Sequence, residues 1–208
     1  RLYVAKDIER NGQAQINFTP YAAAAHFEQK GSFLPSFALS CVIVAELYKN
    51  RSNADVKKVL DQYKDCGAGY GWHAQNTIIN YDTQEVIHYP SAADFDQTAA
   101  VNSGRQRKTG NFSKAALQDS LLETALQDAA HARYVKQLTG LANPAILVDI
   151  GNYFGKKAKL WFPWSGQAGA TCTGKRAAWF GCGSDSFSLI GYDYLGSDAA
   201  RGVRRSAP

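Results

Sequence analysis

The spacing of apolar positions changes several times along the chain, and each change marks an element. Leu2-Tyr3-Val4-Ala5 reads as an opening strand that runs into a polar turn over 7–13, and Gln15-Ile16-Asn17-Phe18 as a second short strand. Thr19-Pro20 starts a helix through Gln29, with Thr as N-cap, Pro at the first helical position and Gly31 at its end. A second helix is expected from Pro35, carrying Phe37, Val42, Val44, Ala45, Leu47 and Tyr48 up to the breaker Asn50-Arg51-Ser52. Ser52 or Asn53 then caps a third, through Val56, Val59, Leu60 and Tyr63 to Gly67. These helices read as the hydrophobic base of the molecule.

Two strand-like runs follow, Asn76–Tyr81 and Glu85–Tyr89, joined by Asp82-Thr83-Gln84 as a hairpin. The stretch 91–111 is polar and reads as a surface loop. From Ser113, the positions Leu117, Leu121, Ala125, Ala129, Ala132 and Val135 predict one long helix closed by Gly140. Pro144–Ile150 and Ala158–Phe162 read as buried strands.

The final block, Lys175 to Arg205, has a different makeup. From Phe180 to Asp198 it mixes Gly, Ser and Asp with Phe, Tyr, Leu and Ile, and it contains no Lys, Glu, Gln, Met or Trp. Gly, Ser and Asp form loops, whereas the apolar members are residues a fold normally hides. Phe187, Leu189 and then Tyr192, Tyr194 alternate at period two, so the composition by itself suits a pair of core strands. It also suits a binding surface, in which rigid aromatics supply contact area at low entropic cost.

Two framing motifs favour the second reading, Arg176-Ala177-Ala178-Trp179 before the segment and Ala200-Arg201-Gly202-Val203 after it. With these the block resembles the variable region of proteins diversified by retroelements, the family of phage tropism determinants and archaeal-virus variable proteins. In that family, asparagine codons between such motifs are mutated at their adenines. An Asn codon randomised at both adenines cannot become Lys, Glu, Gln, Met or Trp, the types missing here. The resemblance covers the C-terminal block and implies an α+β fold, a C-type-lectin-like domain with helices packed on a small antiparallel sheet and long loops. That domain would span 1–208, with the variable region at about 176–205, and the resemblance implies that its first and last strands pair, Leu2–Ala5 against Ala200–Arg204.

It further implies that Arg176, Trp179, Arg201 and Val203 are scaffold and that Gly191 and Gly196 are turn hinges. The displayed ligand-binding side chains would be Phe180, Cys182, Ser184, Asp185, Ser186, Phe187, Ser188, Leu189, Ile190, Tyr192, Asp193, Tyr194, Ser197 and Asp198. The expected activity is non-enzymatic recognition of a protein or surface ligand, on a virion, on a cell surface or after secretion. Monomer and trimer are both compatible with it.

Bulk properties narrow the alternatives. At 208 residues the chain suits one domain with a real core, and a net charge of +5 is only mildly basic. Its basic clusters, Arg105-Gln106-Arg107-Lys108 and Lys156-Lys157 with Lys159, lack a nucleic-acid motif and read as solvated faces. Cys41, Cys66, Cys172 and Cys182 form no ligand spacing with the histidines, so neither metal nor cofactor is expected. Cys172 and Cys182 could bridge a loop; a diversified Cys182 would instead be a free thiol. No stretch is long enough to cross a bilayer, and the residues from Arg1 do not read as a signal peptide; an upstream segment stays open.

The rival chemistry is a papain-like Cys–His hydrolase acting on cell wall, using Cys41, His73 and His88. The run Trp72–Pro90 resembles the His-bearing hairpin of such peptidases. Against it, Cys41 would sit more than a turn inside its helix among Leu39, Val42 and Ile43, away from the helix end that lowers a thiol's pKa.

Overall fold

A computed structural model describes residues 2–11, 14–64, 72–90, 107–113, 117–161, 173–183, 185–192 and 200–204. The fold is mixed α and β. The chain opens on strand β1 (Tyr3–Val4) and a small ribbon, β2 (Arg10–Asn11) with β3 (Ala14–Gln15). Helix α1 (Pro20–Gln29) follows; the Thr19 hydroxyl accepts from the Ala22 amide and Pro20 fills a position needing no N–H donor. Helix α2 (Phe37–Lys49) starts two residues later than Pro35, because Ser36 provides the cap. Helix α3 (Ala54–Asp61) is capped by Asn53 and ends well before Gly67.

The expected hairpin is β4 (Trp72–Asn80) and β5 (Glu85–His88), followed by β6 (Arg107–Lys108). Residues 91–106 of the expected surface loop lie outside the described residues. The long helix expected from Ser113 is not one element. It resolves into strand β7 (Ser120–Leu121), a short helix α4 (Leu122–Ala125) and α5 (Ala129–Thr139). Asp128 makes the break: its carboxylate accepts from the Ala130 and His131 amides, which restarts the helix, and Gly140 closes it at φ 62°. Pro144–Ile150 is likewise corrected from strand to helix, α6 (Ile146–Tyr153). Gly151 lets that helix press against β8 (Lys157–Trp161), since a Cβ there would stand 3.0 Å from the Ala158 nitrogen.

Strands β9 (Lys175–Cys182), β10 (Ser186–Tyr192) and β11 (Val203–Arg204) complete the set. The main sheet runs β6-β5-β4-β9-β10-β8-β7. It is mixed rather than wholly antiparallel, because β10 lies parallel to β8 while pairing antiparallel with β9. The chain ends pair as expected, Val4 opposite Val203 and Tyr3 opposite Arg204.

Helices cover both faces. On one, α2, α5 and α6 bury Phe37, Val44, Val135, Leu138, Leu147 and Ile150 against Ala178, Phe180, Phe187 and Leu189. On the other, Ala23, Ala24 and Phe27 of α1 pack on Ala74, Ala177 and Trp179. Strand β4 is therefore buried along nearly its whole length, and its polar middle needs partners. A bulge between Ala74 and Ile78 turns that middle toward α2. There Thr77 Oγ1 accepts from the Phe37 amide at 2.9 Å and Ser40 donates to Gln75.

Candidate functional site

The candidate site begins with the β9–β10 hairpin. Its register sets Cys182 opposite Phe187, Phe180 opposite Leu189 and Ala178 opposite Gly191. Side chains on a strand alternate between faces, so Ala178, Phe180, Cys182, Phe187 and Leu189 share one face, and it is the face under α2 and α6. Phe180 stands edge-on to Phe187, with ring centroids 5.0 Å apart, and also meets Phe37 and Tyr63. Phe187 reaches Phe154 at the end of α6. These rings form the aromatic centre of the main core.

This corrects the display expectation for much of the segment. Phe180, Cys182, Phe187 and Leu189 have no exposed surface, so they support the fold rather than face a ligand. Ser186 and Ser188 are also buried, on the opposite face, where the Ser188 hydroxyl donates to Ser186 Oγ at 3.0 Å. Gly191 is not a hinge: it lies within β10, and a Cβ on it would come 2.9 Å from Ile79 Cδ1 and 3.0 Å from the Tyr81 hydroxyl.

Of the expected display positions, Asp185 is the described side chain that is exposed. It sits at the corner of the hairpin, where the Gly183 amide donates to the Ser186 carbonyl at 2.7 Å. Lys159 of β8 donates to its carboxylate at 3.1 Å, and that bond together with the lysine's charge holds the Asp185 carboxyl below its usual range. Lys156 donates to the Gly183 carbonyl from below. Asp185 thus stands on the rim of a depression of about 680 Å³ that Lys156, Lys157, Lys159 and the half-exposed Leu121 also line. The lysine cluster that reads as a plain solvated face in the sequence supports this corner. Ser184, Asp193, Tyr194, Ser197 and Asp198 lie outside the described residues, as do Gly196 and the side chains of Ile190 and Tyr192.

The framing motifs are both tied into buried structure. Trp179 is 4% exposed, and Ala200, Arg201 and Val203 are all buried. Val203 exchanges backbone hydrogen bonds with Phe33, at 2.9 and 3.0 Å. The Arg201 guanidinium donates to the Ala5 carbonyl at 2.6 Å and to the Gln62 side chain, and lies 5.3 Å from the centre of the Tyr63 ring. One buried cation thus joins the first strand, the end of α3 and the last strand.

The residues of the rival hydrolase are held differently. Cys41 has no exposed surface, and burial pushes its thiol well above 9.0. His88 has both ring nitrogens engaged, Nδ1 with the Thr77 hydroxyl at 3.0 Å and Nε2 with the Gln137 carbonyl at 3.1 Å. His73 stacks on Tyr63 with ring centroids 4.7 Å apart. A thiol kept protonated and a histidine tied to two other groups do not make an activated nucleophile.

No family model, curated protein or solved structure matches this chain. Among the described residues no three or more His, Cys, Asp or Glu side chains gather as a metal site, and no helix is long and apolar enough to cross a membrane.

Proposed function

We propose that this chain is a non-enzymatic recognition protein with a C-type-lectin-like domain, diversified by a retroelement within residues 176–205, and that its contact surface is narrower than 180–198. The observation carrying this reading is the anchoring of both framing motifs, Trp179 within β9 and Ala200-Arg201-Gly202-Val203 against the first strand and Phe33. Pairing of the chain's first and last strands suits the same kind of domain. A segment fixed at both ends by core strands can change sequence with little effect on folding.

The core positions cannot share in that variation. Replacing a buried Phe by a small residue costs about 3–5 kcal/mol, a large part of the roughly 5–15 kcal/mol that holds a domain together. Diversification therefore acts on Asp185 at the hairpin corner and on Ser184, Ile190, Tyr192, Asp193, Tyr194, Ser197 and Asp198. Tyr192 and Tyr194 supply contact area, and the Ser and Asp residues supply hydrogen bonds at the rim. The partner is a protein or surface ligand selected by those side chains.

Two libraries test this. Randomising Asp185, Tyr194, Ser197 and Asp198 together should leave most members folded, with melting temperatures within about 4 °C of the parent, a change of roughly 1–2 kcal/mol. Randomising Phe180, Phe187 and Leu189 should leave few folded. General unfolding of the first library would overturn the proposal. So would a gene with no near-copy repeat differing at adenines and no reverse transcriptase beside it.

A further inference from the structure

A second concave surface lies at the other edge of the sheet, where β5 and β6 meet the start of α2 and the end of α5. It is a groove of about 730 Å³. Its floor is apolar, formed in part by Leu39 and Val42 of α2, and Val42 is 39% exposed although it sits mid-helix between the buried Cys41 and Ile43. Its rim is cationic: Arg107 and Lys108 of β6 on one side and Lys136 of α5 on the other. None of the described lining residues is acidic, and among the described residues none of these three cations forms an ion pair.

The groove also holds a backbone irregularity. Tyr89, on its wall, has φ 54°, a conformation that is strained for a large side chain. It is kept there by a 2.8 Å bond from its amide to the Asn76 carbonyl and by edge contact of its ring with Phe33. Strain held in place by surrounding structure is found preferentially at ligand-contacting positions. An exposed apolar floor ringed by cations that form no ion pair among the described residues is complementary to a ligand with apolar side chains and flanking carboxylates.

We infer that this groove is a docking site for an acidic peptide segment of a partner protein, with an apolar anchor residue against Leu39 and Val42 and carboxylates at Arg107, Lys108 and Lys136. A concave floor suits a peptide better than a bilayer, which is engaged by protruding apolar side chains. The site shares no residue with the β9–β10 corner and so stands or falls independently of the diversified surface.

The test uses the full chain and a fluorescein-labelled peptide alternating Asp and Glu with Leu and Phe, read by anisotropy at about 0.1 M salt. Saturable binding is expected, at least about tenfold tighter than to the same peptide with Asn and Gln in place of the acids. Lys108→Glu and Val42→Asp should each weaken it about fivefold or more, with Lys136→Glu as a further variant if either melts early. Lys58→Glu, an equal change of charge on α3 outside the groove, should shift it less than about twofold. No binding, equal affinity for the neutral peptide, or an equal loss with Lys58→Glu would overturn the inference. Binding to phosphatidylserine vesicles that Lys108→Glu abolishes, without peptide binding, would overturn it in favour of a lipid surface.

Discussion

Phe180 and Phe187 tie the β9–β10 hairpin to the helices, because each ring touches the other and also reaches a helix, through Phe37 and Phe154. Phe187→Ala leaves a void among residues that interlock on every side and should cost about 3–5 kcal/mol, read as a lower urea midpoint at unchanged slope. Gly191→Ala errs in the opposite direction. Its new methyl would press on Ile79 and Tyr81, both fully buried, so a loss of about 1–3 kcal/mol is expected in the same measurement. Asp185→Asn, by contrast, removes a contact between two solvated side chains and should leave the midpoint unchanged.

Between elements, the start of α2, the middle of β4, the end of β5 and the end of α5 are joined by one chain of hydrogen bonds. The Phe37 amide donates to Thr77 Oγ1, the Thr77 hydroxyl then donates to His88 Nδ1, and His88 Nε2–H donates to the Gln137 carbonyl. That order requires a neutral imidazole protonated at Nε2. Burial lowers the His88 pKa below 6.5; the Gln137 carbonyl opposes this and the nearby Arg107 charge adds to it. The unfolded chain therefore binds a proton that the folded chain disfavours. Stability from this group is complete above pH of about 6.5 and is lost as pH falls from there through the folded pKa. Urea titrations between pH 7.5 and 5 should show that decline, and His88→Gln should flatten it while lowering stability at pH 7.5.

At the scale of the molecule, the first and last described strands are joined by pairing and by Arg201. Its two guanidinium branches reach the Ala5 carbonyl and Gln62, positions far apart in sequence. A lysine offers a single ammonium and cannot span both. Arg201→Lys should therefore cost about 2–3 kcal/mol, the scale of a lost charge-assisted hydrogen bond in a buried site. Hydrogen exchange should show the loss first at the Ala5 amide, which donates to the Gly202 carbonyl where the end strands pair.

What could be read directly from residue order was whatever depends on neighbours along the chain. Thr19-Pro20, Asn53 and Gly140 mark helix ends through bonds to amides or through a left-handed backbone close by, so they were legible. The hairpin of β4 and β5 followed from local alternation in the same way. Elements set by distant partners were not. Ser120–Leu121 continues a helical pattern and becomes strand only because β8 offers its edge, and Ile146–Tyr153 is an apolar run that suits strand or helix until α6 packs on β8. The candidate site divides along the same line. Alternating apolar and small residues from 180 to 192 specify a hairpin with two unlike faces, but not what packs on each of them. That was decided by α2 and α6 closing over Phe180, Phe187 and Leu189, because a side chain's exposure depends on what packs above it and not on its own identity.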